Sequence, residues 1–348
     1  MMPFLLSKRS SFPHRRSARG QLNNKYPKQV KSEIFLFADD TKIFREIKNN
    51  DDCKLLQEDL NCMVKWTSDW LLKFHPDKCK TLEVTRKAPR NYMYMIEGTE
   101  LDHVEEEKDI GVITDQKLTF SNHMVAKINT ANNIMGLITW VLVLITFKSL
   151  DEEMFKKLYK SLVRPHLEYA TAVWNPYLEK DITAIENVQR RATKLIPGLK
   201  DMSYEDRQKI LKLPTLKYRR LRGEAIKAFK ILNGVYDKAV ATILPLHRDN
   251  VANPTRTRGD KTKLYQTRYR LNLRKNFFTI KIVKIWNSLP PNVTSSPNVK
   301  TFERRLDKHW MKQPIIYDHK ANLSIKKGSH RDRNKLDEED MCIEALFA

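Results

Sequence analysis

The sequence predicts an α+β fold, a small mixed region followed by a mainly helical one, and two patterns carry that expectation. In the first third of the chain, short apolar runs alternate with turn residues and acidic clusters. From about residue 121 onward, apolar side chains recur at helical spacing in one segment after another. With 348 residues and 41% hydrophobic composition, the chain can bury one large core or two or three small ones.

Taken in order, residues 1–32 hold eight Lys or Arg and no acid among Ser and Asn, a composition expected to stay disordered. Residues 33–37 (EIFLF) are a short apolar run that ends in Ala38-Asp39-Asp40-Thr41, ahead of Lys42, Ile43 and Phe44. That pattern reads as strand, tight turn, strand. Between Asp51 and Leu72, apolar residues at 55, 56, 60, 63, 64, 70 and 71 have helical spacing, with Asp51 and Asp52 placed to suit the helix dipole. Strands are expected over 81–85, 92–96 and 109–114, with Gly98 and Glu105–Glu107 in the turns. Helices are expected over 121–140, 151–163, 181–195, 203–212 and 215–233, the last stopped by Gly234. Residues 236–270 are expected to be a linker, being polar and basic with Pro254 and Gly259 in their second part. A final helical pair, 275–287 and 298–311, is split by the Pro-rich stretch from Leu289 to Pro297. The charged tail, 313–348, is expected to be disordered.

The formal net charge is +22, which attracts polyanions: DNA, RNA or an acidic membrane surface. The excess is concentrated. From Glu186 to Pro290 there are 25 Lys or Arg against 8 Asp or Glu, a surplus of 17. Within that block Val188, Ala192, Leu195 and Ile196 make an apolar stripe, so Arg190, Arg191, Lys194, Arg207, Lys217, Arg219, Arg220 and Arg222 are expected to face outward. Such a face either touches a nucleic-acid backbone or is merely solvated. The wider surplus favours the first, with Arg190, Arg191, Lys194, Arg219, Arg220 and Arg222 as the binding set.

The four cysteines form no CxxC pair, and no second ligand pair follows His75 and Cys79 at finger spacing, so no zinc site is expected. No secretory signal is legible, which points to reduced thiols in a nuclear or cytoplasmic protein rather than a secreted one. The longest apolar run, Leu137 to Phe147, is about half the length a spanning helix needs and reads as a buried helix or strand, so no membrane partner is expected.

Two adjacent carboxylates at a hairpin tip between apolar strands suit a divalent cation with a preference for oxygen ligands, and two-metal phosphoryl transfer uses such pairs. Asp is also a common turn former, and an aromatic-x-Asp-Asp word arises by chance in about one chain in ten of this length. The words that follow it are more specific. Residues 34–44 (IFLFADDTKIF), Trp66 and Trp70, 73–80 (KFHPDKCK), 108–115 (KDIGVITD), 118–123 (LTFSNH), 159–170 (YKSLVRPHLEYA), 173–176 (VWNP), 185–193 (IENVQRRAT), 286–291 (WNSLPP) and Phe302 stand in one order. That series resembles the reverse transcriptases of non-LTR, LINE-type and jockey-like retrotransposons over about residues 26–312. His75 stands where the family usually has Asn.

The resemblance implies a partial palm over 33–116 and a helical thumb-like region over 117–235, followed by a C-terminal helical segment over 271–312. It implies RNA template and DNA primer as partners and Mg²⁺ or Mn²⁺ as cofactor. Asp39 would hold both metals and Asp40 would be a weaker ligand. Lys78 would protonate the leaving pyrophosphate, although a solvated turn lysine accounts for it as well. Gly111 and Val112 would lie in the primer grip, or simply pack in a strand. The family's metal site also needs an Asp from a strand well before the hairpin. Only 38 residues precede Asp39, and Glu33, the one acid among them, is about 20 Å up the strand. The expectation is therefore a truncated polymerase, inactive alone, whose hairpin has lost its neighbouring strands and is exposed or loosely ordered.

Overall fold

In the computed structural model, the described residues are 2–8, 29–37, 40–69, 74–86, 88–90, 92–146, 151–236, 243–246 and 262–324. They divide into two compact units, Met1–His123 and Met124–Ala348. No helix among them is long and apolar enough to cross a membrane.

The first unit is built from β1 (Met2–Lys8), β2 (Glu33–Phe37), β3 (Asp40–Phe44), helix α1 (Asn50–Asp69), β4 (Lys80–Val84) and β5–β9 (Met95–Ile96, Thr99–Glu100, Asp102–Val104, Glu106–Asp109 and Val112–Asp115). Five strands form one mixed sheet in the order β2-β3-β1-β4-β7, antiparallel except for β4 with β7. Residues 2–8, read from sequence as part of a disordered leader, are its central strand. The apolar Phe4-Leu5-Leu6 run suits a position with partners on both sides, and Pro3, which has no amide to give, is in register with β4 alone. The β2–β3 hairpin is accordingly not alone: β1 occupies its flank, and β2 remains the sheet edge, with Phe35 and Phe37 more than half exposed.

Helix α1 starts with a reciprocal cap. The Asp52 carboxylate accepts from the Lys48 and Asn49 amides (2.8 and 3.1 Å), and Asn49 Oδ1 accepts from the Asp52 amide. Its Cys53, Leu56, Leu60 and Met63 fall at spacings of three and four and form one buried stripe with Ile43, Ile47, Phe74, Tyr94, Ile96 and Leu101. Two polar residues of α1, Asp59 and Thr67, are buried too. Asp59 accepts from the backbone amides of Lys31 (3.0 Å) and Ser32 (2.8 Å), from the Ser32 hydroxyl, and from Arg45 Nη1 (3.2 Å), fixing the approach to β2. Gln57 pairs like a strand with Met95, its side-chain amide both donating to and accepting from that backbone at 2.8 Å.

The second unit is helical: α2 (Ser121–Thr146, begun at the end of the first unit), α3 (Glu152–Leu158), α4 (Arg164–Glu168), α5 (Thr171–Trp174), α6 (Glu179–Ala192), α7 (Tyr204–Leu211), α8 (Leu216–Leu232), α9 (Asn272–Asn276), α10 (Phe278–Ser288), α11 (Pro291–Thr294) and α12 (Val299–Trp310). Between α3 and α4, residues 159–163 widen into a π turn in which the Arg164 amide reaches back to Tyr159 O. Pro165 brings no amide to the ladder, which is the cause.

The core lies between α8, α10 and α12. Phe229 stacks on Phe302 at 4.4 Å, Trp286 on Phe302 at 5.9 Å, and Tyr218 meets Trp310 edge-on. The described parts of 236–270 are not a free linker. Leu244 and Leu264 are buried, Asn287 bonds both the amide and the carbonyl of Leu264 (2.9 Å each), and Trp286 Nε1 donates to Thr262 O. Residues 313–324, expected to be disordered, are likewise packed: Ile315 and Ile316 are buried against the start of α8, where Thr215 donates to both of their carbonyls. The rest of the tail, 325–348, lies outside the described residues. In the apolar run from Leu137, that residue and Trp140 are exposed on α2, against the expectation of burial.

A second buried carboxylate organises this unit. Glu186 accepts from the Tyr204 hydroxyl (2.7 Å) and from the Leu216 amide (3.0 Å), the first turn of α8. Burial pushes its carboxyl above the ordinary value of 4.5. The folded state therefore binds this proton more tightly than the unfolded chain. The stability it contributes is present in acid and is lost as pH rises from about 4.5 through the raised value. Urea unfolding of the wild type and Glu186→Gln across that range is expected to show the wild-type advantage shrinking with rising pH, and a constant difference would contradict it. In the first unit, Asp59→Ala strips four donors of their acceptor and is expected to cost about 3 kcal/mol by the same measurement.

Candidate functional site

The Phe37-Ala38-Asp39-Asp40 turn joins β2 and β3 in a register that pairs Phe37 with Asp40. Asp39 lies outside the described residues. Asp40, half-buried, opens β3, and Thr41 and Ile43 turn inward while Asp40, Lys42 and Phe44 share the other face. On its second flank Asp40 is in register with Lys8 of β1. A divalent metal pair wants several carboxylates at one point. Here the strand beside β3 brings Met-Pro-Phe-Leu-Leu-Ser-Lys and no acid, and Glu33 is in register with Phe44, at the far end of the hairpin. No group of three or more Asp, Glu, His or Cys side chains gathers to hold a metal among the described residues. The described donor set does not fit the two metals that the resemblance implies.

A second hairpin stands near the first. Strands β8 and β9 pair from Glu106↔Asp115 to Asp109↔Val112, leaving Ile110 and Gly111 as the turn. Both have positive φ (45° and 79°), the geometry of a two-residue type I′ hairpin. Gly111 takes it freely, whereas β-branched Ile110 takes it under strain. Val112 is buried, and the Ile113 amide donates to buried His123 Nδ1 at 3.1 Å. Lys42 of the Asp40 hairpin forms an ion pair with Asp109, so the two hairpins are tied together by residues the sequence reading did not single out. The signal was an unassigned acid inside the KDIGV word and an unassigned base two residues after the Asp pair. Lys78 sits exposed in the short 3-10 turn Pro76–Lys78, with no ion-pair partner among the described residues.

The basic block divides into three kinds of side chain. Arg191 and Lys194 are exposed, and Arg190 lies across the Tyr204 ring at 5.1 Å. Arg219 and Arg222 are engaged in the fold: Arg219 grips Glu168 (Nη2–Oε2 3.1 Å), and Arg222 holds Asp307 in a bidentate pair at 2.6 and 2.8 Å. Arg207 and Arg220 are each 2% exposed, contrary to the expectation that they face outward. Arg207 spends its donors on Thr193 Oγ1, Met202 O and Arg190 O. Helical periodicity cannot separate a solvated arginine from one engaged in the fold when, as for Arg219 and Arg222, the partners lie 51 and 85 residues away.

Comparison with curated proteins returns one kind of relative. Over 143 residues, 41% of this chain and 15% of the relative, it is 29% identical to the RNA-directed DNA polymerase from mobile element jockey of Drosophila funebris. It is 26% identical over 171 residues to the probable RNA-directed DNA polymerase from transposon BS of Drosophila melanogaster, and 24% identical over 185 residues to the jockey polymerase of that species. These alignments take in 48% and 53% of this chain but 18% and 20% of those relatives. The chain is thus similar, over about half of its length, to polymerases of non-LTR mobile elements, and it spans a fifth or less of each. No family model matches the chain, and no solved structure matches it significantly.

The strained turn gives a direct check. Gly111→Ala is expected to lower stability by about 1 kcal/mol, since a Cβ opposes the left-handed backbone. Ile110→Gly is expected to leave stability unchanged or raise it by up to about 1 kcal/mol. Thermal melting of the two variants measures both, and a marked loss on Ile110→Gly would show that its side chain contributes more than its backbone costs.

Proposed function

We propose that this chain is a nucleic-acid-handling portion of a non-LTR reverse transcriptase, one that grips template and primer but does not copy RNA into DNA alone. The observation that carries the proposal is the similarity to the jockey and BS polymerases, which extends over 143 to 185 residues of this chain. The charge agrees with it, because a chain of net charge +22 gathers phosphate backbones without reading sequence. Of the expected binding set, Lys194 and Arg191 are exposed, Arg191 with one bond to Asn132 Oδ1 at 3.1 Å, and half-buried Arg190 lies beside them.

Catalysis in this reading needs carboxylates beyond Asp39 and Asp40. Lys8 and Phe37 are the register neighbours of Asp40, so a further acid would have to come from another chain or another segment. Gly111 and Val112 keep their assignment to the primer grip, tied to the Asp40 hairpin through Asp109, and Lys78 its assignment to pyrophosphate. If a second chain completes the metal site, Mg²⁺ or Mn²⁺ is the cofactor.

A gel-shift on an RNA–DNA template–primer is expected to show binding that weakens steeply with salt. Arg191→Ala with Lys194→Ala is expected to lower the slope of log affinity against log salt by about 2. Primer extension on the same duplex, with Mg²⁺ or Mn²⁺, is expected to give no product. Product from the wild type that vanishes in the Asp39→Ala, Asp40→Ala double variant would overturn the non-catalytic part. Absence of binding would overturn the rest.

A further inference from the structure

The second unit contains a cavity of about 220 Å³ between the loop after α5, the start of α6, α8, α10 and the 315–323 stretch. Three cations line it: Lys217 and Arg220 from α8, and Lys281 from α10. Lys217 is held at the rim, its Nζ donating to Ala321 O (3.0 Å) and Asn322 Oδ1 (3.3 Å). Lys281 is bonded to Glu224 at 3.1 Å, and its ammonium sits in the field of both Arg220 and Lys217.

Arg220 is the anomaly. It is 2% exposed, yet none of its three guanidinium nitrogens has a hydrogen-bond partner among the described residues. Buried polar groups are nearly always satisfied, and a buried guanidinium offers five donors. The carboxylates whose field it feels are Glu186, Glu168 and Glu224. Glu186 is committed to Tyr204 and Leu216 and Glu168 to Arg219, while Glu224 Oε1 takes Lys281 and Asn175, whose Nδ2 lies 2.6 Å from it, and Glu224 Oε2, in an ion pair with Lys281 at 3.1 Å, accepts no hydrogen bond among the described residues. Among the lining groups Glu179 is the one acid, on the first turn of α6.

We propose that this cavity is a binding site for a phosphate group, received by the Arg220 guanidinium with Lys217 and Lys281 on either side. A tetrahedral oxyanion presents several acceptors to a donor fork that has none, and guanidinium–phosphate pairs are among the stronger charge-assisted contacts. The cavity is smaller than the 300 Å³ or more typical of sites for drug-sized molecules, so the fitting ligand is a single small group: inorganic phosphate, or the terminal phosphomonoester of a longer molecule. The inference does not depend on the polymerase similarity, since it rests on the cavity and its cations alone.

The full chain would be melted in sodium phosphate and in sodium chloride at matched ionic strength, as wild type and as Arg220→Met. Phosphate also stabilises proteins in general by exclusion from their surface, and that effect acts on both alike. The expected result is a phosphate-specific rise in Tm of the wild type that is absent from Arg220→Met. Equal rises in the two proteins would overturn the site. Should Arg220→Met fail to fold, phosphorus NMR line broadening by the wild type and by Lys217→Gln replaces it. About tenfold weaker phosphate binding by the variant is expected, and no broadening by the wild type, or equal affinity in the two, overturns the site. A 5′-phosphorylated oligonucleotide and its 5′-hydroxyl counterpart, added as competitors, identify the source. Competition by the phosphorylated form alone assigns the terminal phosphomonoester, and competition by neither assigns the free ion; both outcomes support the site. Equal competition by the two would place phosphate on a general nucleic-acid surface and overturn it.

Discussion

A carboxylate taken out of water at the first turn of a helix governs the second unit. Glu186 cannot remain buried without donors, and it finds them on two other elements: the Tyr204 hydroxyl from α7 and the Leu216 amide from α8. One residue earlier, Thr215 caps α8 by accepting from the Tyr218 amide, while its hydroxyl and its own amide bond the carbonyls of Ile315 and Ile316. The positive end of α8 thus receives both a buried negative charge and a cap. From there Gln189 carries the network to Tyr159 and Pro214. Helices that are far apart in sequence meet where these polar groups have no alternative, and the apolar core of α8, α10 and α12 can close around them.

This arrangement explains what the words that carry the resemblance do in this chain. Trp174 is buried with its indole donating to Tyr169 O, and Asn175 reaches Glu224. Trp286 and Asn287 pin residues 262 and 264, and Phe302 is buried against Phe229 and Trp286. These words are brackets of the scaffold. The residues expected to do chemistry, Asp39, Asp40 and Lys78, belong to the first unit, where the Lys42–Asp109 ion pair ties the Asp40 hairpin to the β8–β9 hairpin.

Much of the local structure was legible. Spacings of three and four marked α1, α6, α8 and α12 to within a few residues, because each buries apolar residues at those spacings, and α7 too fell close to its expected bounds although Leu211 is its one buried apolar residue. Gly111 did not announce its turn: residues 109–114 read as one strand, whereas Ile110 and Gly111 turn between β8 and β9. What escaped was long-range. Nothing local in Met2–Lys8 tells that it will enter the sheet between β3 and β4, since its partners lie at residues 40–44 and 80–84. Leu264 sits among polar residues in sequence, and Asn287, 23 positions on, is what holds it in place. The basic block misled for the same reason: Arg219 and Arg222 find their acids 51 and 85 positions away.

The central place of β1 also decides where the sheet can fail. Its partners, Asp40–Phe44 and Lys80–Val84, are joined in the sheet through it. Were it to detach, β3 and β4 would each bare a row of backbone donors and acceptors at once, and the loss of one seven-residue strand would turn the sheet interior into two open edges.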